Sequence, residues 1–152
     1  MDRFEILART LRERLPGLEL REREPMRRHT TFRIGGPARL MALPGTPEEA
    51  ETVVRLAKEL DVVPFFLGNG SNLLVADAGY EGLVLKTEGL AQTREDTCRL
   101  TAGSGIPLAR LAVTALNRGL SGLEFVHGIP GTLGGAVLMN AGAYGGEMIQ
   151  VL

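Results

Sequence analysis

Several kinds of chemistry are excluded by what this 152-residue chain has little of. It holds one cysteine, Cys98, two histidines, His29 and His127, and no tryptophan. A single cysteine permits no internal disulfide and supplies no ligand cluster, so no metal site is expected. Lysine occurs only as Lys58 and Lys86, and neither follows a glycine, which removes the P-loop of nucleotide hydrolases. None of the serines sits in a G-x-S-x-G elbow, so the hydrolase nucleophile is absent as well. No apolar run reaches membrane-spanning length. The N-terminus alternates charged and apolar residues where a signal peptide has an apolar centre, and a soluble cytoplasmic protein is the simplest expectation. The net charge of −1 is spread over interspersed signs, which argues against nucleic acid as a partner. The arginine-rich first third, with the pair Arg27-Arg28, is interrupted by Glu19, Glu22 and Glu24 and reads as a solvated face. His127 shows no carboxylate partner and is read as structural.

Glycine, by contrast, is abundant, with 20 residues, and it clusters. The apolar run that starts at Phe65-Phe66-Leu67 stops at Gly68-Asn69-Gly70-Ser71-Asn72 and resumes at Leu73-Leu74-Val75. Glycines two apart allow positive φ and close backbone approach, so successive N–H groups can face one concavity and accept anionic oxygens. A tight turn between two strands fits the same residues. A dinucleotide fingerprint does not: position 73 is Leu where the third glycine belongs, and Leu73-Leu74-Val75 continues as an extended segment. Gly103-Ser104-Gly105 fails in the same way, at Leu108. A second cluster, Gly128-Ile129-Pro130-Gly131-Thr132-Leu133-Gly134-Gly135, leads to Asn140-Ala141-Gly142-Ala143-Tyr144-Gly145-Gly146.

Between these clusters the periodicity predicts alternating elements. Phe4, Leu7, Ala8, Leu11 and Leu15 share one face of a helix over Asp2–Leu15, stopped by Pro16-Gly17. Leu18–Met26 is expected to be an extended connector, and Ala38–Leu43 a strand covered on both faces. Thr46-Pro47-Glu48-Glu49 has the composition of a capping box opening a helix to Leu60, and Val62–Leu67 follows as a buried strand. Strand, helix and strand make a right-handed crossover unit that ends where the first glycine loop begins. Ala76–Tyr80 is a turn, Gly82–Thr87 and Arg99–Ala102 are short strands. Ile106-Pro107 opens a helix with Leu108, Leu111, Ala112, Ala115 and Leu116 on its buried face and Gly119 as its stop. Gly131–Asn140 reads as a short helix whose N-terminus favours an anion, with Gly134-Gly135-Ala136 leaving room for a flat ring or a pyrophosphate; close helix packing is the alternative. Glu147–Leu152 reads as the opening of a strand.

Three motifs together resemble the UDP-N-acetylenolpyruvoylglucosamine reductase (UDP-N-acetylmuramate dehydrogenase) family. They are Thr30-Thr31-Phe32-Arg33-Ile34-Gly35-Gly36-Pro37-Ala38, Asn69-Gly70-Ser71-Asn72-Leu73-Leu74, and Gly128-Ile129-Pro130-Gly131 leading to Asn140-Ala141-Gly142-Ala143-Tyr144-Gly145. They span most of the chain in the family's order, and the last is the most particular. The resemblance implies an α+β FAD-binding domain of the vanillyl-alcohol-oxidase type. A small parallel βαβ subdomain is expected over residues 1–80 and a second α+β subdomain over 81–152, with the C-terminal substrate domain missing. It implies non-covalent FAD, with NADPH as reductant and the enolpyruvyl ether of a UDP-sugar as substrate, in peptidoglycan synthesis. The pyrophosphate is expected on Gly68, Asn69, Gly70, Ser71, Asn72 and Leu73. The flavin or its ribityl chain is expected on Gly128, Ile129, Pro130, Gly131, Thr132, Gly134, Gly135, Asn140, Ala141 and Gly142. The family's catalytic groups lie in a Gly-Tyr-Arg segment, a Gly-Ser-x-Phe-Lys-Asn-Pro segment and near its C-terminus, none of which occurs here, so no catalytic residue is expected in this chain. A non-catalytic flavin- or nucleotide-binding module, or another flavoenzyme of the same type, is the alternative.

Overall fold

The N-terminal helix starts on an aspartate that does two jobs. Asp2 accepts hydrogen bonds from the N–H groups of Phe4 and Glu5 while Glu5 reaches back to the Asp2 N–H, a complete capping box for α1 (Arg3–Arg14). The same carboxylate pairs with Arg39, whose guanidinium lies 4.6 Å from the Phe4 ring centroid. The computed structural model describes residues 2–152, and these fall into two units that divide between Gly89 and Leu90.

In the first unit a four-stranded sheet has the order β1 (Glu19–Pro25), β2 (Pro37–Leu43), β4 (Tyr80–Lys86), β3 (Pro64–Leu67). β1 is antiparallel to β2, while β2 and β3 both run parallel to β4, which lies between them. The connector expected over 18–26 is thus an edge strand; its run of charges hides it from a hydrophobic pattern and suits an edge that must not pair further. Helix α2 (Pro47–Glu59) is capped by Thr46, which accepts from the Glu49 N–H. The capping box itself is not completed, because the Glu49 side chain accepts from Gly45 instead of Thr46.

The sheet is covered on both faces, as β2's composition predicts. Leu40, Ala42, Leu83 and Leu85 pack under α1 and α2 with Leu7, Leu11, Val53 and Ala57. Ala38, Met41, Val84 and Leu67 face the other way, against Met26, Leu73 and Val75. A register shift between Ala38 and Leu40 is what lets Ala38 share a face with Met41. The central strand β4 is the reason the unit extends to Gly89 and does not end near residue 80, where the division is expected from the sequence. β3, expected as a buried strand from Val62, is a short edge strand; Val63 is 82% and Phe66 54% exposed.

The second unit, Leu90–Leu152, contains the hairpin β5 (Thr93–Asp96) and β6 (Arg99–Ala102), then α3 (Leu108–Asn117). α3 ends as the sequence predicts, with Gly119 at positive φ and the N–H groups of Gly119 and Leu120 on the carbonyls of Leu116 and Ala115. Leu116, placed on the buried face by its spacing, is 73% exposed. A short 3-10 turn, Glu124–Val126, precedes α4 (Leu133–Met139) and the small hairpin β7 (Gly142–Ala143) and β8 (Gly146–Glu147). Tyr144 and Gly145, both at positive φ, form its two-residue turn. The core gathers Leu108, Ala112, Phe125, Val126, Ala136 and Met148. Met148–Gln150 is a 3-10 turn where a strand is expected, and it seats Met148 in this core while Ile149 and Leu152 stay exposed.

Candidate functional site

In the first unit the parallel strands β2, β3 and β4 end at Leu43, Leu67 and Lys86, and a cleft of about 690 Å³ opens beyond those carboxyl ends. Asn69 of the first glycine loop lines it, with Leu43, Glu88, and the segment His29, Thr30, Thr31 and Arg33. Four cations (Arg21, Arg28, Arg33 and Lys86) line this cleft against two carboxylates, Glu19 and Glu88. That balance suits an anion.

The loop Gly68–Leu73 is held from two sides. Lys86, with a side chain 6% exposed, donates from Nζ to the Gly68 carbonyl at 3.0 Å and lies 3.3 Å from Glu88 Oε2. On the other side the Thr31 N–H donates to the Gly70 carbonyl at 3.1 Å. A β-carbon at Gly70, where φ is +63°, would stand 2.1 Å from the His29 carbonyl oxygen. Gly70 is therefore glycine because the chain itself crosses there, and not because a ligand must reach its α-carbon.

The segment that crosses is anchored in turn. His29 Nε2 lies 2.9 Å from Glu24 Oε1, with both side chains about nine-tenths buried, and Arg21 reaches the same oxygen at 3.1 Å. Burial pushes the Glu24 carboxyl up, but the hydrogen bonds from His29 and Arg21, together with their charges, outweigh it and hold the group below the usual carboxylate range. A lowered folded-state value means that Glu24 stabilises the fold fully above the ordinary carboxylate range and loses that contribution as pH falls through the lowered value. Urea midpoints measured from pH 7 to about pH 3 are expected to fall less steeply in Glu24→Gln than in the unaltered chain; parallel curves would contradict this.

In the second unit the loop Gly128–Leu133 runs beside Ser104–Leu108. Leu108 N–H donates to Gly131 O, Leu133 N–H to Ile106 O, and Gly134 N–H to Ser104 O. The last two bonds use the first two donors of α4, a helix of only 7 residues, so the protein's own carbonyls take N–H groups that an anion at its N-terminus would need. Gly134 packs on Ser104, where a β-carbon would sit 2.8 Å from the serine's own. Asn140, at positive φ, ends α4, and its side chain donates to Glu147 and accepts from the Ile149 N–H. Gly142 faces the Gly146 carbonyl across the small hairpin, and Ala141 packs against the core. Ile129 packs on that core as well, beside Pro130. These residues shape the loop rather than present a surface.

Two glycines behave differently. A β-carbon at Gly128 would meet nothing within 4 Å, and one at Gly135 only Thr132 Oγ1 at 3.7 Å. That same hydroxyl is buried, with Thr132 5% exposed, and among the described residues it has no hydrogen-bond partner. An unspent buried hydroxyl beside bare backbone is what a polar ligand with a flat or slender part would complete. Of the first loop Asn69 lines the charged cleft, while Leu73 packs against the core beneath the sheet; in the second loop Gly128 and Gly135 are open and Thr132 carries the unspent hydroxyl. Sequence reading missed Glu24, His29 and Lys86. The spacing of Glu24 and His29 signals no pairing until β1 is recognised as a strand that turns back at Met26.

A family model described as "FAD binding domain" matches residues 38–152. The UDP-N-acetylenolpyruvoylglucosamine reductase of Agathobacter rectalis is 48% identical over 95% of this chain and 50% of its own length. A crystal structure of UDP-N-acetylenolpyruvylglucosamine reductase from Thermus caldophilus aligns with 37% identity and a TM-score of 0.67, covering 86% of this chain and 45% of that one. An alkyldihydroxyacetonephosphate synthase aligns with a TM-score of 0.70 over 91% of this chain and 30% of its own; at 22% identity that likeness concerns the fold alone. The chain spans about half the length of the curated relatives it matches.

Proposed function

This chain belongs to the FAD-binding domain family, and from that premise we propose that it is the flavin-holding part of a reductase that converts the enolpyruvyl ether of UDP-N-acetylglucosamine to UDP-N-acetylmuramate in peptidoglycan synthesis. Its fold is the α+β fold of flavin domains of the vanillyl-alcohol-oxidase type. The observation that carries the reading is the match over residues 38–152, which contains both glycine loops. The buried Thr132 hydroxyl supports the fit, since it asks for a partner that the described residues do not supply.

When bound, FAD would supply the transfer of hydride from NADPH to the enolpyruvyl double bond. The chain's own residues bind and orient. Gly68, Asn69, Gly70, Ser71, Asn72 and Leu73 take the pyrophosphate, with Lys86 and the cleft arginines providing the opposite charge. Gly128, Gly131, Thr132 and Gly135 receive the flavin or its ribityl chain, with Ile129, beside Pro130, holding the loop on the core, and Thr132 spends its hydroxyl there. Gly134, Asn140, Ala141 and Gly142 hold that loop in shape. The cofactor is read as non-covalent, and of the two histidines the His29 ring is buried against Glu24 and not free to form a tether.

Purified protein incubated with FAD and stripped of excess is expected to quench the flavin's fluorescence and to release all of it on acid precipitation. Flavin retained on the pellet would overturn the non-covalent assignment, and no quenching would overturn the cofactor. The placement has its own check in Gly135→Ala. The new methyl group meets only an ordinary contact, and alanine is better than glycine inside a helix by about 0.5–1 kcal/mol. Stability should therefore hold or rise while FAD affinity falls about tenfold or more, roughly 1.4 kcal/mol. Unchanged affinity would move the flavin away from α4.

A further inference from the structure

The first glycine loop crosses the segment that precedes the second strand, and that segment supports it at Gly70. The His29 carbonyl lies where a Gly70 β-carbon would be, at 2.1 Å, and the Thr31 N–H bonds the Gly70 carbonyl. The conformation of residues 29–31 therefore fixes the path of the loop. Thr30 is buried and its hydroxyl donates to the Ile34 carbonyl, closing the segment on itself. The His29 side chain ties this segment to the sheet through Glu24 on β1. With Glu24 ionised, Nε2 must carry the proton in this contact.

We propose that His29 is a positioning residue for the cofactor: held by Glu24, it sets the backbone that presents the Gly68–Asn72 loop to the pyrophosphate of FAD. The inference rests on the reading of that loop as a pyrophosphate site. Arg21, at 3.1 Å from the same Glu24 oxygen, helps to keep the carboxylate charged, and Arg28 lies 3.9 Å from it. Lys86 holds the loop at Gly68, so loss of the histidine bond should free the Gly70 side and leave Gly68 anchored.

The test compares His29→Gln, whose Nε2 can reach Glu24, with His29→Phe, which keeps a ring and removes the donor, and His29→Asn, which keeps polarity but is too short. The chain is studied by FAD titration, by amide hydrogen exchange without FAD, and by urea unfolding. His29→Phe and His29→Asn are expected to weaken FAD binding about tenfold or more, the size of a lost hydrogen bond to a charged group. They should speed exchange of the Thr31 N–H by a similar factor, while strand amides of β2 and β4 keep their protection. His29→Gln should restore both. If His29→Phe does not fold, His29→Asn against His29→Gln carries the comparison. Thr31 exchange that is unchanged in the variants would overturn the proposal, as would failure of His29→Gln to rescue either property. An unaltered chain that does not bind FAD would sink the pyrophosphate reading instead, and the exchange result would still decide whether His29 orders the loop.

Discussion

Replacing Gly70 by valine is expected to cost about 3–5 kcal/mol of folding stability and to abolish FAD binding as a consequence. The backbone there has φ of +63°, a region that a β-branched residue occupies only under strain of about 1–3 kcal/mol. Steric overlap adds a comparable amount, because the β-carbon would stand 2.1 Å from the His29 carbonyl oxygen and 3.0 Å from the Thr30 α-carbon. Those atoms cannot step aside cheaply, since Thr31 is bonded to Gly70 and His29 to Glu24. Composition alone suggests a different outcome at Gly70 and Gly131, a loss of cofactor affinity larger than the loss of stability, on the idea that glycine leaves room for the ligand. The geometry reverses this order. At Gly70 the obstacle is the protein's own chain, and at Gly131 a φ of +140° makes any side chain strained whatever lies nearby. Urea unfolding without FAD decides the matter: a Gly70→Val chain with an unshifted midpoint and weakened FAD binding would return the ligand to that α-carbon.

The same contrast explains how much of the molecule is legible in its residues. Helices α1, α2 and α3 follow from apolar spacing with Asp2, Thr46 and Gly119 at their ends, because local capping and a buried stripe agree. β1 was hidden, since Glu19–Pro25 reads as charge and its pairing with β2 depends on residues about twenty positions away. β3 misled in the opposite sense: Phe65-Phe66-Leu67 looks buried, yet β4 takes the central place and leaves β3 at the edge. The glycine loops were visible as glycine. What could not be read was which glycines serve a ligand and which serve the fold, because Gly70, Gly134 and Gly142 are closed by contacts with the His29 carbonyl, Ser104 and the Gly146 carbonyl. Gly128 and Gly135 are open, as is Gly145 in the turn of the small hairpin. Pattern recognises a loop type; the crossing chain that requires it comes from tertiary structure.

Residues 1–152 saturated with FAD are expected to show no oxidation of NADPH that depends on the UDP-enolpyruvyl sugar. Such a reaction needs the receiving carbon held within about 3–3.5 Å of the hydride donor, a cation for the substrate carboxylate, and a positioned acid for the neighbouring carbon. The family resembled here draws the last two from segments whose residues are not in this sequence; Gly79-Tyr80 is followed by Glu81 and not by arginine. The serines offer no substitute. Ser71 lies in the first glycine loop, which the proposed reading gives to the pyrophosphate, and Ser104 is packed against Gly134, with its carbonyl taken by the Gly134 N–H. Ser121 lies between Leu120 and Gly122, after α3, where the nearby Glu124 carboxylate already accepts from the Gly122 N–H. Of the four cations of the cleft, Lys86 is engaged with Gly68 and Glu88 and Arg21 with Glu19 and Glu24, while Arg28 and Arg33 lie in the cleft that the proposed reading gives to the pyrophosphate. A steady-state assay should therefore read background NADPH oxidation with or without the sugar, while FAD titration of the same sample gives saturable binding. Sugar-dependent turnover by this chain would place an acid and a carboxylate-binding cation among residues 1–152 and overturn the division of labour argued above.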